Sequence, residues 1–332
     1  MPLTSPVPFS VLDLAPVAEG SSASRALANS LDLARHVEQL GYRRFWVAEH
    51  HNMPGIASSA PAVLLAHLAA GTTELRVGSG GVMLPNHAPL VIAEQFGTLE
   101  ALHPGRIDLG LGRAPGTDGY TAAALRRTVD PRIADDFPGQ LAELIAYFEG
   151  RVEGITATPG EGNAPDVWLL GSSGYSAQLA GMLGLPFSFA RHFSARNTLP
   201  ALALYREHFR PSDRLERPYA MVCTSIVCAD SDEEAERIAA TSRLAILNLR
   251  RGRPGRTPTP AEALAYRYSG EEQAAVDEHM AGYIIGDSAV VKAGIEELLE
   301  MTEADELMVS TSAFDHADRR RSYELVARLF AT

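Results

Sequence analysis

Strands and helices alternate along this chain, and that alternation limits its fold more than any single motif does. Short apolar segments, such as residues 8–16 and 166–173, have the length of buried strands. Each is followed by a stretch with helical periodicity, as in residues 21–41, where apolar residues recur at helical spacing. This alternation indicates an α/β fold with a parallel sheet, because parallel strands are joined by crossover helices.

Eight such strand–helix units are found in the 332 residues. The number predicts a (β/α)8 TIM barrel with insertions in its βα loops, which we place at residues 114–136, 150–165 and 250–286. A doubly wound open sheet is the alternative, because counting units does not establish that the sheet closes. Residues 1–332 are predicted to form a single domain.

Charge and hydropathy argue against several kinds of partner. The net charge is −12 and the basic residues are scattered, so neither nucleic acid nor an anionic membrane is expected as a partner. No apolar segment is long enough to span a bilayer, and residues 1–16 lack the features of a signal peptide. Cys223 and Cys228 lie on one predicted strand and face opposite ways, so we predict two buried thiols in a cytoplasmic protein.

The second predicted strand ends in the polar sequence Glu49–His50–His51. In a TIM barrel the active site forms at the carboxyl ends of the strands, so this segment is a candidate for it. Neighbouring residues of a strand face opposite ways, and no H-x-H spacing occurs here, so no metal site is predicted. Two interpretations stay open: a structural hydrogen-bonding imidazole in a polar turn, or an acid–base histidine.

The third strand carries Gly80 and Gly81. The surrounding sequence is not the G-x-G-x-x-G fingerprint of dinucleotide-binding folds. Paired glycines here allow a flat ligand to approach the backbone closely, or they only permit the curvature of the barrel.

Two further strand ends together indicate a phosphate site. Arg113 follows the fourth strand, where it either binds a phosphate or forms an ordinary salt bridge. Residues 171–174 connect the fifth strand to its helix and are Gly171, Ser172, Ser173 and Gly174. Free backbone N–H groups at a helix start bind anions, so one phosphate is predicted between this turn and Arg113.

The ordered set of these motifs resembles the bacterial-luciferase-like flavin-dependent monooxygenases over nearly the whole chain, most densely in residues 40–116. The resemblance implies a (β/α)8 barrel that binds FMN. It implies that Arg113, Ser172 and Ser173 hold the flavin phosphate, with Gly171, Gly174 and Tyr175 completing the cofactor-binding set. Gly80–Gly81 match a residue pair that carries a non-proline cis peptide beneath the isoalloxazine, and His50 matches the catalytic histidine.

The chemistry implied by the resemblance is oxygenation of a small organic substrate. Reduced FMN and O2 form a flavin C4a-hydroperoxide, and His50 handles the protons of the reaction. A separate NAD(P)H:flavin reductase is expected to supply the reduced flavin as a transient partner. The resemblance also implies a homodimer formed through the early helices.

Other functions on the same barrel remain open at this point. They are a deazaflavin-dependent reductase or dehydrogenase, a flavin-binding protein without catalysis and, less favoured by the residue spacing, a metal-dependent hydrolase. Gly112 stands where luciferases proper carry a reactive cysteine, so light emission is not expected.

Overall fold

A closed ring of parallel strands forms the centre of the molecule. The structure, a computed structural model, describes residues 7–114, 118–125 and 136–330. Its strands are β1 (Phe9–Asp13), β2 (Arg44–Val47), β3 (Arg76–Met83), β4 (Ile107–Gly112), β5 (Asp166–Gly171), β6 (Phe187–Ala190), β7 (Ala220–Cys228), β8 (Ile284–Gly286) and β9 (Glu306–Ser310). Each of the strands β1 to β7 pairs with the next one in the chain. β9 pairs with both β7 and β1 and so closes the ring, and among the described strands β8 pairs only with β7. The predicted eight-stranded (β/α)8 barrel is confirmed, and the open sheet is excluded.

Helices surround this ring. They are α1 (Ala23–Gln39), α2 (Pro61–Gly71), α3 (Pro89–Leu102), α4 (Gly119–Leu125), α5 (Phe137–Phe148), α6 (Gly174–Met182), α7 (Thr198–His208), α8 (Asp232–Arg250), α9 (Pro260–Ala265), α10 (Gly270–Met280), α11 (Ser288–Thr302) and α12 (His316–Leu329). The helices that follow the eight barrel strands agree with the sequence-based prediction. The insertion predicted at 114–136 lies partly outside the described residues, and its described part contains α4.

The insertion predicted at 250–286 contains more structure than the sequence analysis assigned to it. Two short helices, α9 and α10, begin with capping boxes formed by Thr259 with Glu262 and by Ser269 with Glu272. In each box the two residues satisfy backbone N–H groups that a helix start leaves unpaired. The insertion ends in β8, which pairs in parallel with the last residues of β7, outside the ring.

The barrel interior is filled by side chains that alternate with outward-facing ones along each strand. Trp46 faces inward, whereas its neighbours Phe45 and Val47 belong to the core between barrel and helices. Inside the barrel Trp46 contacts Trp168 edge to face, with ring centroids 5.2 Å apart. These are the two tryptophans of the chain.

Charged residues form a buried layer at the amino-terminal end of the barrel. Arg44 donates from Nη1 to Asp108 Oδ1 over 2.8 Å and from Nε to Glu306 Oε1 over 3.0 Å. Asp108, which is fully buried, also accepts from the Trp46 indole over 2.9 Å and from Arg76 over 2.5 Å. Buried charges are tolerated when they are paired in this way.

Three further expectations from the sequence can be compared with the structure. Cys223 and Cys228, both in β7, are buried and form no disulfide, as predicted. Within the described ranges, no helix has both the length and the apolar character needed to cross a membrane. The second strand was predicted too long, because β2 ends at Val47, before the Glu49–His51 segment.

Candidate active site

The structure places the candidate residues at one end of the barrel. His50 lies three residues beyond β2, Gly80 and Gly81 lie within β3, and Arg113 directly follows β4. Gly171 ends β5, and Ser172 and Ser173 lead into α6. All barrel strands are parallel, so these positions share the carboxyl-terminal end, here called the mouth of the barrel.

Arg113 and the start of α6 come together, as the phosphate prediction requires. The Arg113 guanidinium lies over the ring of Tyr175, 4.3 Å from its centroid. Ser173 is the N-cap of α6 but its side chain accepts no hydrogen bond from the helix, so it leaves the N–H groups of the first turn available. The Gly171 backbone approaches Ser176 so closely that a Cβ at residue 171 would lie 2.8 Å from the Ser176 Cβ.

This arrangement fits an anionic group. A guanidinium beside uncapped backbone N–H groups offers charge and several donors to one phosphate. Arg113 is exposed, and it is stacked on an aromatic ring rather than paired with a carboxylate of the described residues. The arrangement therefore favours the phosphate interpretation of Arg113 over the salt-bridge interpretation.

The Gly80–Gly81 peptide is cis, as the resemblance implies. Backbone packing requires glycine at residue 81, and side chains leave little room for more than glycine at residue 80. A Cβ at residue 80 would lie 2.7 Å from Leu12 Cδ1, and one at residue 81 would lie 2.7 Å from the Gly110 carbonyl oxygen. β3 also shifts register against β4 here. The pair thus leaves the strand without side chains near the mouth, where a flat ring could lie against the backbone.

The Glu49–His51 segment is held by side-chain bonds rather than by strand pairing. Oε1 of the fully buried Glu49 accepts from His51 Nε2 and from His87 Nε2, each over 2.8 Å, and Oε2 accepts from the Met83 backbone N–H over 3.0 Å. Burial raises the pKa of the Glu49 carboxyl, but these bonds and the charge of His87 outweigh burial, so the pKa lies below its usual value. An ionised carboxylate therefore joins the segments after β2 and β3.

His50 and His51 differ in their surroundings. His51 bonds to Glu49, whereas His50 is half-buried and its backbone N–H donates to the Ser58 carbonyl over 3.1 Å. The argument from strand alternation does not apply to them, because β2 ends before this segment. Even so, the residues that the structure describes contain no cluster of three or more potential metal ligands.

Sequence reasoning missed His87 and gave His192 no role. Both lie just beyond strand ends, after β3 and β6 respectively, and that position was the available signal. The buried His192 places Nδ1 3.2 Å from the Cys223 carbonyl oxygen, and its ring packs on Phe193 with centroids 4.2 Å apart. Burial lowers the pKa of His192 to about 4.

The sequence of this chain is similar to known proteins over nearly its whole length. Residues 7–306 match the family model of the luciferase-like monooxygenases. A luciferase-like monooxygenase of Escherichia coli (strain K12) is 54% identical over 321 residues, which cover 96% of this chain and 96% of the relative. An N-acetyl-S-alkylcysteine monooxygenase of Bacillus subtilis (strain 168) is 32% identical over 327 residues, which cover 96% of this chain and 97% of the relative.

Structural comparisons agree with these matches. The crystal structure of apo-MsnO8 has a TM-score of 0.91 at 38% identity and covers 98% of this chain, which in turn covers 97% of it. The FMN complex of the oxygenating constituent of 3,6-diketocamphane monooxygenase, from the CAM plasmid of Pseudomonas putida, has a TM-score of 0.72 at 20% identity, with 98% of both chains covered. The coenzyme F420-dependent tetrahydromethanopterin reductase of Methanopyrus kandleri has a TM-score of 0.66 at 18% identity, with 97% of both chains covered. The last two likenesses show the fold alone.

Proposed function

The chain belongs to the luciferase-like monooxygenase family, and on that premise we propose that it is an FMN-dependent monooxygenase acting on a small organic substrate. FMN, when bound in its reduced form, would supply two electrons and activate O2. One oxygen atom enters the substrate and the other leaves as water. We further propose that a separate flavin reductase provides the reduced flavin and that the protein works in the cytoplasm.

One observation carries this proposal: the Arg113 guanidinium lies over Tyr175 at the uncapped start of α6. These groups would hold the flavin phosphate, with Ser172 and Ser173 adding hydroxyl donors. The cis Gly80–Gly81 peptide lies on β3 of the same barrel end, where the ring system would need backbone without side chains. The residues present therefore suit both the anionic and the flat part of FMN.

His50 would move a proton at the reacting atoms. It lies at the mouth, and imidazole has a pKa near neutrality, so it can both donate and accept a proton under working conditions. The bonds from His51 and His87 to the buried Glu49 fix the segment from which His50 projects. The barrel walls would exclude water from the reaction.

The name of the Bacillus subtilis relative suggests a first substrate to test. That relative is an N-acetyl-S-alkylcysteine monooxygenase, so N-acetyl-S-methyl-L-cysteine is a sensible probe for this chain.

Titration of the purified protein with FMN, and separately with a deazaflavin, tests the cofactor assignment by absorbance. We expect FMN to bind and Arg113→Ala to weaken its binding about ten- to a hundredfold, because a charge-assisted bond to phosphate contributes about 1.5–3 kcal/mol. Arg151→Ala is the matched control, because Arg151 is 63% exposed and pairs with Glu149 on the surface. Binding of the deazaflavin alone, or an FMN affinity that Arg113→Ala leaves unchanged, would contradict the assignment.

A further inference from the structure

His192 and His50 lie on opposite sides of the mouth. His192 follows β6 and His50 follows β2, and these strands are four places apart in the ring of eight. The two side chains nevertheless interact electrostatically, and His192 interacts in the same way with His279 of α10. Both histidines lie beyond the carboxyl ends of their strands, so they face the same open end of the barrel.

The bond to Cys223 fixes the tautomer of His192. A carbonyl oxygen only accepts, so His192 Nδ1, which lies 3.2 Å from the Cys223 oxygen, must carry the ring proton. In the neutral ring Nε2 is then a lone-pair acceptor. The contact with Phe193 and a backbone bond from the His192 N–H to the same carbonyl over 3.3 Å hold the ring in place. The direction of the Nε2 lone pair is therefore set by the fold.

His192 is neutral at physiological pH. Burial lowers its pKa to about 4, and the positive charges of His279 and His50 add to that lowering. Burial also raises the pKa values of the nearby Cys223 thiol and Tyr283 hydroxyl, so neither brings a negative charge. No described residue donates a hydrogen bond to His192 Nε2. In the described part of the chain, Nε2 is also not among the buried side-chain atoms that lack a hydrogen-bond partner. Nε2 therefore stays available to accept from a group that enters the mouth.

We infer that His192 determines substrate specificity, with Nε2 accepting a hydrogen bond from an N–H or O–H group of the substrate on the side of the mouth opposite His50. The inference rests on the proposed function, since it takes the mouth to be the substrate site. A fixed, uncharged acceptor favours molecules that carry a donor, because an analogue without the donor leaves the acceptor desolvated and unpaired. The substrate class is therefore a small molecule with an amide N–H or hydroxyl group on the side that faces His192.

Nuclear magnetic resonance of the flavin-free protein, labelled with nitrogen-15 at histidine, tests the first half of the inference. We expect the His192 ring to carry its proton on Nδ1 near neutral pH, with Nε2 unprotonated. His192→Phe identifies the signals, because they disappear in that variant while its aromatic ring keeps the contact with Phe193. A proton on Nε2, or a charged ring at neutral pH, would overturn the inference.

Calorimetric binding to the FMN-loaded protein tests the second half with two probes. N-acetyl-S-methyl-L-cysteine has an amide N–H, and its N-methylated analogue lacks it. We expect the wild-type protein to prefer the first probe by about three- to tenfold, the effect of one neutral hydrogen bond. His192→Phe should lose this preference, and His192→Gln, which places an amide oxygen near the Nε2 position, should retain part of it.

His208→Phe is the matched control, because His208 also holds Nδ1 near a carbonyl oxygen, that of Leu204 at 3.0 Å, but lies at the end of α7. It should leave the preference intact. Failure of the proposed function would appear as absence of FMN binding, while the resonance experiment on the flavin-free protein still decides the tautomer. An FMN-loaded wild-type protein that binds both probes equally, or neither, would refute the specificity role of His192.

Discussion

His50 and His51 are neighbours in sequence, but the fold gives them different surroundings. His51 bonds to the buried Glu49 carboxylate, whereas His50 is half-buried at the mouth. We predict that His50→Ala keeps its fold and its FMN affinity but oxygenates substrate about 10²–10⁴-fold more slowly, the usual contribution of a positioned acid–base group. His51→Ala should instead lower the melting temperature and change turnover less. Steady-state oxygenation at matched flavin occupancy and thermal unfolding check the predictions for the two variants. Equal turnover of His50→Ala and the wild type would show that the segment has only a structural role.

The buried His192 predicts a pH dependence of stability. Its pKa is lowered from 6.5 to about 4 in the folded protein, so between these values the unfolded chain binds a proton that the folded protein does not. The free energy of unfolding should therefore fall as the pH is lowered from 6.5 to 4, by at most about 3 kcal/mol from this group. Urea unfolding across this window should show a smaller slope for His192→Phe than for the wild type. Parallel pH profiles of the two proteins would argue against a neutral, buried imidazole.

At the scale of elements, the charged residues at the amino-terminal end of the barrel connect five strands, β2, β3, β4, β5 and β9. Asp108 of β4 and Asp166 of β5 both bond to Arg76, each over 2.5 Å, but Asp108 is fully buried and Asp166 is 65% exposed. We predict that Asp108→Ala lowers the free energy of unfolding by about 3–5 kcal/mol, because Arg44 loses a buried partner. Asp166→Ala should cost less than about 1 kcal/mol. Denaturant unfolding measures the change in the free energy of unfolding for both variants. Asp108→Asn is a milder substitution to use if Asp108→Ala does not accumulate. A similar loss of stability at the two positions would contradict the role given to burial.

The sequence predicted some elements well and missed others for identifiable reasons. The eight barrel strands are mostly apolar because both of their faces are buried, so their signal is strong. β8 has only three residues, and α9 and α10 lie in a segment rich in arginine, proline and glycine, where periodicity is short. Their capping-box residues, such as Thr259 with Glu262, were a readable signal that the periodicity argument did not use.

The positions of the candidate site followed from topology, but its contacts did not. Parallel strands bring Arg113 and the Gly171–Gly174 turn to one end of the barrel, and this could be predicted before any distance was known. The bond between Glu49 and His87, and the bond between His192 and the Cys223 carbonyl, join residues far apart in sequence. No local pattern encodes such distances, because they depend on how loops and strands pack in three dimensions.

At the scale of the whole molecule, α2 and α3 carry large apolar side chains that none of the described elements covers. Val63 of α2 is 72% exposed, and Val91 and Leu102 of α3 are 43% and 64% exposed. Contiguous exposed apolar side chains are typical of protein interfaces, so we predict a homodimer that buries this face. Light scattering should give about twice the chain mass of 35.6 kDa.

A charge on this face provides the variant that tests the dimer. Val63→Glu should shift the protein toward the monomer, because association would bury an unpaired carboxylate. Val290→Glu serves as the control, since Val290 is 45% exposed but lies on α11. A monomeric wild-type protein at micromolar concentration, or dissociation caused equally by both variants, would refute the assignment of the interface.

The contact between Trp46 and Trp168 has a practical consequence for spectroscopy. Both tryptophans of the chain lie side by side in the barrel interior, so indole emission reports on one location in the molecule. Flavins absorb where indole emits, and a flavin at the mouth would therefore quench that emission by energy transfer. The protein thus carries its own optical probe, with which flavin occupancy and unfolding of the barrel can be followed without any attached label.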